Sequence, residues 1–67
     1  MKYAAGDLVE VNKRNMKKYQ GVIVSGKKVS LYVEARPIKI VDETMYTILS
    51  GGKDMFAYEY QIRKIDD

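Results

Sequence analysis

Between Asn12 and Tyr19 the chain reads NKRNMKKY: four cations (Lys13, Arg14, Lys17, Lys18), no acid and a terminal aromatic within eight residues. Clustered ammonium and guanidinium groups can neutralise phosphates and release their counterions, and a neighbouring tyrosine can stack on a base or a sugar. The same composition also describes a solvated loop, because lysine keeps surfaces soluble and discourages strand edges from aggregating. A third reading is a contact surface for a larger acidic protein. The charge is unevenly placed: residues 1–28 hold seven Lys or Arg against two acids, a balance of +5, whereas residues 29–67 hold five against seven, a balance of −2. Lys27 and Lys28, beside Gly26, are expected in a turn, so that two loops together form one basic end. Tyr58 and Tyr60 join Tyr19 as candidate stacking groups. Four phosphate contacts would make log affinity fall with log salt at a slope of roughly −3 to −4, the behaviour of a weak, backbone-directed binder of nucleic acid.

Catalytic chemistry finds little purchase. The chain has no histidine and no cysteine, which removes the usual general base near neutral pH, the commonest metal ligand, the thiolate nucleophile and any disulfide. Ser25, Ser30 and Ser50 have no base that the sequence pairs with them. Asp42 and Glu43 are adjacent, so on a strand they would point to opposite faces; a turn is expected there. The glycines at 51 and 52 belong to a hairpin and not to a strand-to-helix phosphate loop. No enzymatic activity, metal or cofactor is therefore expected.

The elements that must position the basic stretch are strands. Valine and isoleucine number 13 against three leucines, with six tyrosines, and β-branched and aromatic side chains suit a pleated surface. DLVEV (7–11) alternates, with Val9 and Val11 on one face. QGVIVS (20–25) is a short β-branched run, SGKK reads as a turn, and KVSLYVEA (28–35) alternates cleanly. Val29, Leu31, Val33 and Ala35 are expected inward, and Ser30, Tyr32 and Glu34 outward. Pro37 marks an edge, bulge or break. IKIV, MYTILS, MFAY and EYQIRKI follow, with Tyr46 and Ile48 expected on an outward face beside Tyr32. GGKD (51–54) signals a tight hairpin, since paired glycines supply positive φ. Six or seven short strands in one domain spanning 1–67 describe an all-β chain, too short for a sandwich of two full sheets. No apolar run is long enough to span a membrane or to act as a signal peptide, so no membrane contact and a cytoplasmic location are expected.

The last third, MYTILSGGKDMFAYEYQIRKID, resembles the end of a Src-homology-3-like (SH3-like) small barrel of the Tudor and KOW kind. In that arrangement YTIL and MFAY flank the distal hairpin SGGKD, YEYQ forms one 3₁₀ turn and IRKI closes the barrel. GDLVEV, an eight-residue loop and GVIVS resemble its first strand, first long loop and second strand. The resemblance covers residues 6–66 and implies a small SH3-like barrel of five core strands, with an extra hairpin inserted around residues 26–43. It also implies a platform for nucleic acid, peptides or larger assemblies, with aromatics near the 3₁₀ turn lining the binding face. Stand-alone barrels of this type are similar to small phage-encoded proteins and to accessory subunits of photosynthetic complexes. A phage origin would imply host cytoplasm and a host or virion protein as partner. A homodimer is the simplest protein–protein version of the same reading.

Overall fold

The computed structural model describes residues 1–65. The β-branched runs become five strands: β1 (Leu8–Val11), β2 (Tyr19–Val33), β3 (Lys39–Ser50), β4 (Lys53–Tyr58) and β5 (Ile62–Lys64), with one 3₁₀ turn, Glu59–Gln61, between the last two. All pairings are antiparallel, in the order β4-β3-β2-β1-β5. The two edges, β4 and β5, are not hydrogen-bonded to each other, so the described residues form one five-stranded sheet that is not closed into a barrel. Gly51 and Gly52, at φ of 58° and 77°, make the two-residue connection between β3 and β4, a conformation with little steric cost only for glycine.

All five strands send side chains from the inner face of this sheet into a single core. Val9 and Val11 from β1, Ile23 from β2, Tyr46 and Ile48 from β3, Ala57 from β4 and Ile62 from β5 are buried together with Tyr3 from the N-terminal segment. Tyr46 lies at its centre, fully buried, with its ring edge-on to Tyr3 at 5.4 Å between centroids. Its hydroxyl accepts from the Tyr3 backbone N–H (3.2 Å) and donates to the Glu59 carboxylate (2.8 Å), while the Tyr3 hydroxyl donates to the Ile62 carbonyl (2.8 Å). One polar chain thus ties the N-terminal segment, β3, the 3₁₀ turn and β5 together, and leaves the Tyr3 and Tyr46 hydroxyls satisfied.

Gly26 explains how the backbone comes so close to Tyr46. A Cβ at Gly26 would lie 2.8 Å from two carbons of the Tyr46 ring. Residues 26–28 are therefore strand interior and not the expected turn: the glycine provides space, not a change of direction. β2 instead bends at Val24, the extra residue of a bulge between the pairs Ile23–Ile48 and Ser25–Thr47. Asp42 and Glu43 likewise lie within β3 and not in a turn. The strand count is five and not six or seven, because these expected breaks do not occur.

The bulge also reverses which residues face inward. Beyond it, Gly26 pairs with buried Tyr46, so the face shared by Lys28, Ser30 and Tyr32 continues the core side, and Val29, Leu31 and Val33 lie on the outer side. The period of two in KVSLYVEA is real, but its inward assignment is corrected. None of these residues belongs to the core; Val29 and Leu31 are half-buried, while Val33 and Ala35 are exposed. Tyr46 and Ile48, expected outward, are fully buried. The anticipated inserted hairpin is instead a continuation of β2 and β3, paired from Lys27–Met45 to Val33–Lys39, with Pro37 in the connection at its tip. This two-stranded arm contributes to the 42 × 25 × 22 Å extents of the molecule. No helix among the described residues is long and apolar enough to cross a membrane.

Two predictions follow from the core. Burial raises the pKa of Tyr46 above 10.0, helped by its hydrogen bond to Glu59, and burial raises that of Tyr19 as well. A phenol with a raised folded pKa contributes stability that is complete below the unfolded value and is lost as pH climbs through the folded one. Stability should therefore hold up to pH 10 and fall above it. Tyr46→Phe should cost about 1–3 kcal/mol at neutral pH, by leaving the Tyr3 N–H and Glu59 without their partner, and should make the alkaline fall shallower. Urea unfolding at neutral pH and above pH 10 checks both; equal alkaline losses in the two proteins would place the sensitivity elsewhere. Gly26→Ala should destabilise by about 1–3 kcal/mol through overpacking against Tyr46, measurable as a lowered urea midpoint with an unchanged slope.

Candidate functional site

The basic stretch Asn12–Lys18 connects β1 to β2 and is pinned where it begins. The Asn12 N–H donates to the Gln61 carbonyl (2.9 Å), and the Lys13 ammonium donates to the Phe56 carbonyl on edge strand β4. The loop thereby reaches both the 3₁₀ turn and β4. Lys13 is thus committed to a backbone contact. A turn closed by the Met16 N–H on the Lys13 carbonyl (3.3 Å) follows, with Asn15 in the left-handed region at φ 64°, which asparagine tolerates better than most residues. Arg14 within this turn and Lys17 and Lys18 beyond it are exposed, and none forms an ion pair or side-chain hydrogen bond among the described residues.

Lys18 is the residue through which the loop meets the aromatic pair. It borders one shallow concavity together with Asn12, Tyr60, Gln61 and Arg63, with Glu10 on the same wall. The rings of Tyr58 and Tyr60 are stacked, 5.8 Å between centroids and 11° from parallel. Tyr60 is 71% exposed and Tyr58 half-buried, so the pair presents an aromatic surface held by its own inner ring. The 3₁₀ turn that carries Tyr60 is fixed by the Tyr58 N–H donating to the Gln61 side-chain carbonyl (2.9 Å). Arg63 makes a 3.3 Å ion pair with Glu10 across the β1–β5 pairing, and Arg63 is mostly exposed; such a pair is weak in water and can exchange for another anion.

Not every expected residue joins this site. Tyr19 lies opposite Val11 on the inner face, packed against the core, with its hydroxyl enclosed and lacking a hydrogen-bond partner among the described residues. Burial raises its pKa for the same reason. Its ring is half-buried against the core and not an open stacking surface. Lys27 and Lys28 do not form a second basic loop, because consecutive strand residues point to opposite faces. Lys27 borders a cleft with Met45, Thr47 and Phe56, whereas Lys28 shares a hollow with Asp42, Glu43 and Glu59, an acidic setting.

Arg63 and Asn12 were not anticipated as part of the site. The sequence signal for Arg63 was its position next to Ile62 in the closing run: if Ile62 is inward, Arg63 must be outward, on the strand following Tyr60. Ser30 does find a carboxylate, donating to Asp42 at 3.2 Å, but both are exposed on the arm. Among the described residues no cluster of three or more carboxylates, or of other side chains that bind metals, is close enough to hold an ion. No known protein family, curated protein or solved structure matches this chain.

Proposed function

We propose that the protein is a non-catalytic binding module that holds single-stranded nucleic acid between its basic loop and its 3₁₀ turn. One observation carries the reading: Lys18 of the loop, Arg63 of β5 and Tyr60 border the same concavity. A base stacked on Tyr60 would bring the adjoining phosphates towards Lys17, Lys18 and Arg63, with Arg14 extending the track. Base–aromatic stacking is worth about 1–3 kcal/mol and is tolerant of sequence, and the cations add a contribution that depends on salt. The reading of the sheet as an SH3-like small barrel belongs to this proposal. What supports it is the order of a long loop after the first strand, then two strands, a tight glycine hairpin, a strand, one 3₁₀ turn and a short last strand. The second reading, a protein partner, is favoured by the apolar arm.

Fluorescence anisotropy with labelled single-stranded DNA and RNA from about 50 to 300 mM salt tests the proposal. Three or four phosphate contacts predict a slope of roughly −2 to −3 in log affinity against log salt. Tyr60→Ala should weaken binding by about 1–3 kcal/mol at every salt concentration, while Lys17→Ser with Lys18→Ser should flatten the slope by about 1 to 1.5. Lys53→Ser, at the far hairpin, should change neither. Absence of binding at the lowest salt, or a Tyr60→Ala variant that binds like the wild type, would overturn it.

A further inference from the structure

The arm is the least self-sufficient part of the molecule. From Lys27 to Val33, β2 pairs only with β3 among the described residues, because β1 leaves it at Val22. One backbone edge of β2 is therefore open along the arm. Both faces of the arm carry exposed apolar side chains towards its tip, among charged and polar ones nearer its base, and no other strand of the described residues pairs beside them. On one face, Tyr32 is 78% and Ile40 63% exposed; on the other, Leu31 and Val41 are paired, with Val41 and neighbouring Val33 exposed. A two-stranded ribbon is marginal in water by itself, and an open edge with apolar flanks is a template for another strand.

The sequence of that edge is complementary to itself. We propose that the arm's β2 edge pairs antiparallel with the same edge of a second copy of this chain, about a twofold axis through Leu31. In that register Leu31 meets Leu31, Val29 meets Val33, Ser30 meets Tyr32 and Lys28 meets Glu34. Val29, Leu31 and Val33 on the outer face then each have an apolar partner, and the only charges brought opposite each other are of opposite sign. β3 extends the same rows, so that Val41, Leu31 and their two counterparts form one apolar row across a four-stranded sheet. The interface is isologous and closes after two copies. The other edge of the arm fits a second copy less well. Pairing β3 with itself about Val41 sets Ile40 against Asp42, and at its base Glu59 of the 3₁₀ turn shares a hollow with Asp42, Glu43 and Thr44. The assignment is independent of the nucleic-acid reading, since it uses none of the residues around Tyr60.

The absence of cysteine from the chain makes a direct test available. Leu31→Cys places two thiols opposite each other at the axis and should form a disulfide-linked dimer quickly under mild oxidation at low protein concentration. Val41→Cys, equally on the arm but three strand spacings from its counterpart, about 14 Å, should not. Sedimentation of the wild type should show mass rising with concentration from the 7.7 kDa monomer. Glu34→Lys, which sets lysine against Lys28 twice, should raise the dimer Kd by about tenfold, and adding Lys28→Glu should restore it. A wild type that stays monomeric to about millimolar concentration, equal crosslinking of the two cysteine variants, or a charge swap that restores nothing would overturn the proposal.

Discussion

The fold depends on one tyrosine being placed where no water reaches it. The Tyr46 ring fills the centre of the core, and its hydroxyl links the Tyr3 backbone to the Glu59 carboxylate. A buried phenol without partners would carry a desolvation penalty of about 1–3 kcal/mol, so each of these contacts constrains an element that would otherwise be loosely held. The N-terminal segment has no strand of its own, and the 3₁₀ turn is a single turn; both are held in place by this side chain. The space beside the ring exists because position 26 is glycine. In this way the bonding needs of one residue set the path of β2, the seat of the 3₁₀ turn and hence the position of Tyr60.

The surface features follow from that arrangement. The 3₁₀ turn presents the Tyr58–Tyr60 stack, and its Gln61 carbonyl receives the start of the basic loop. Lys13 holds the loop to the outer edge of β4, which also blunts an edge that could otherwise pair with another strand. Fixing two points at the beginning of the loop leaves the later cations to project beside the aromatic pair. Tyr19, half-buried against the core, anchors the other end of the loop where β2 begins. Lys18 and Arg63 thus share one concavity with Tyr60, and the acidic residues 42, 43 and 59 gather with Lys28 at the base of the arm instead.

The arm has the opposite character. Past the bulge at Val24, β2 and β3 leave the core behind and keep their alternation of apolar side chains without a layer to bury them. Apolar area at this density on a thin ribbon is unusual for a chain that acts alone, and it lies well apart from the cationic loop in the sequence. The described residues therefore carry two separate surface features: a concavity lined by Lys18, Arg63 and Tyr60, and an arm with exposed apolar side chains and an open strand edge.

Much of this was legible in the residues alone. The β-branched composition determined an all-β chain, and the alternation in 8–11 gave the correct buried pair, Val9 and Val11. The paired glycines at 51 and 52 gave the hairpin, because positive φ is a local backbone preference that distant residues do not overrule, whereas the 3₁₀ turn was expected only through the resemblance to a small barrel. Gly26 was misread for an equally physical reason: glycine is favoured both where the chain turns and where another group comes close, and only the Tyr46 ring distinguishes the two. The inward assignment of Val29, Leu31 and Val33 failed because a single extra residue at Val24 reverses the parity of everything after it, and bulges leave no mark in an alternating pattern. Tyr46 and Ile48 could not be assigned a side from MYTILS alone, where both faces carry apolar groups. The sequence by itself determined which segments extend, where they turn tightly and where charge gathers. The tertiary structure alone decided which face of each strand is buried and that Lys18 shares a concavity with Tyr60, because both depend on how segments distant in the sequence are set against one another.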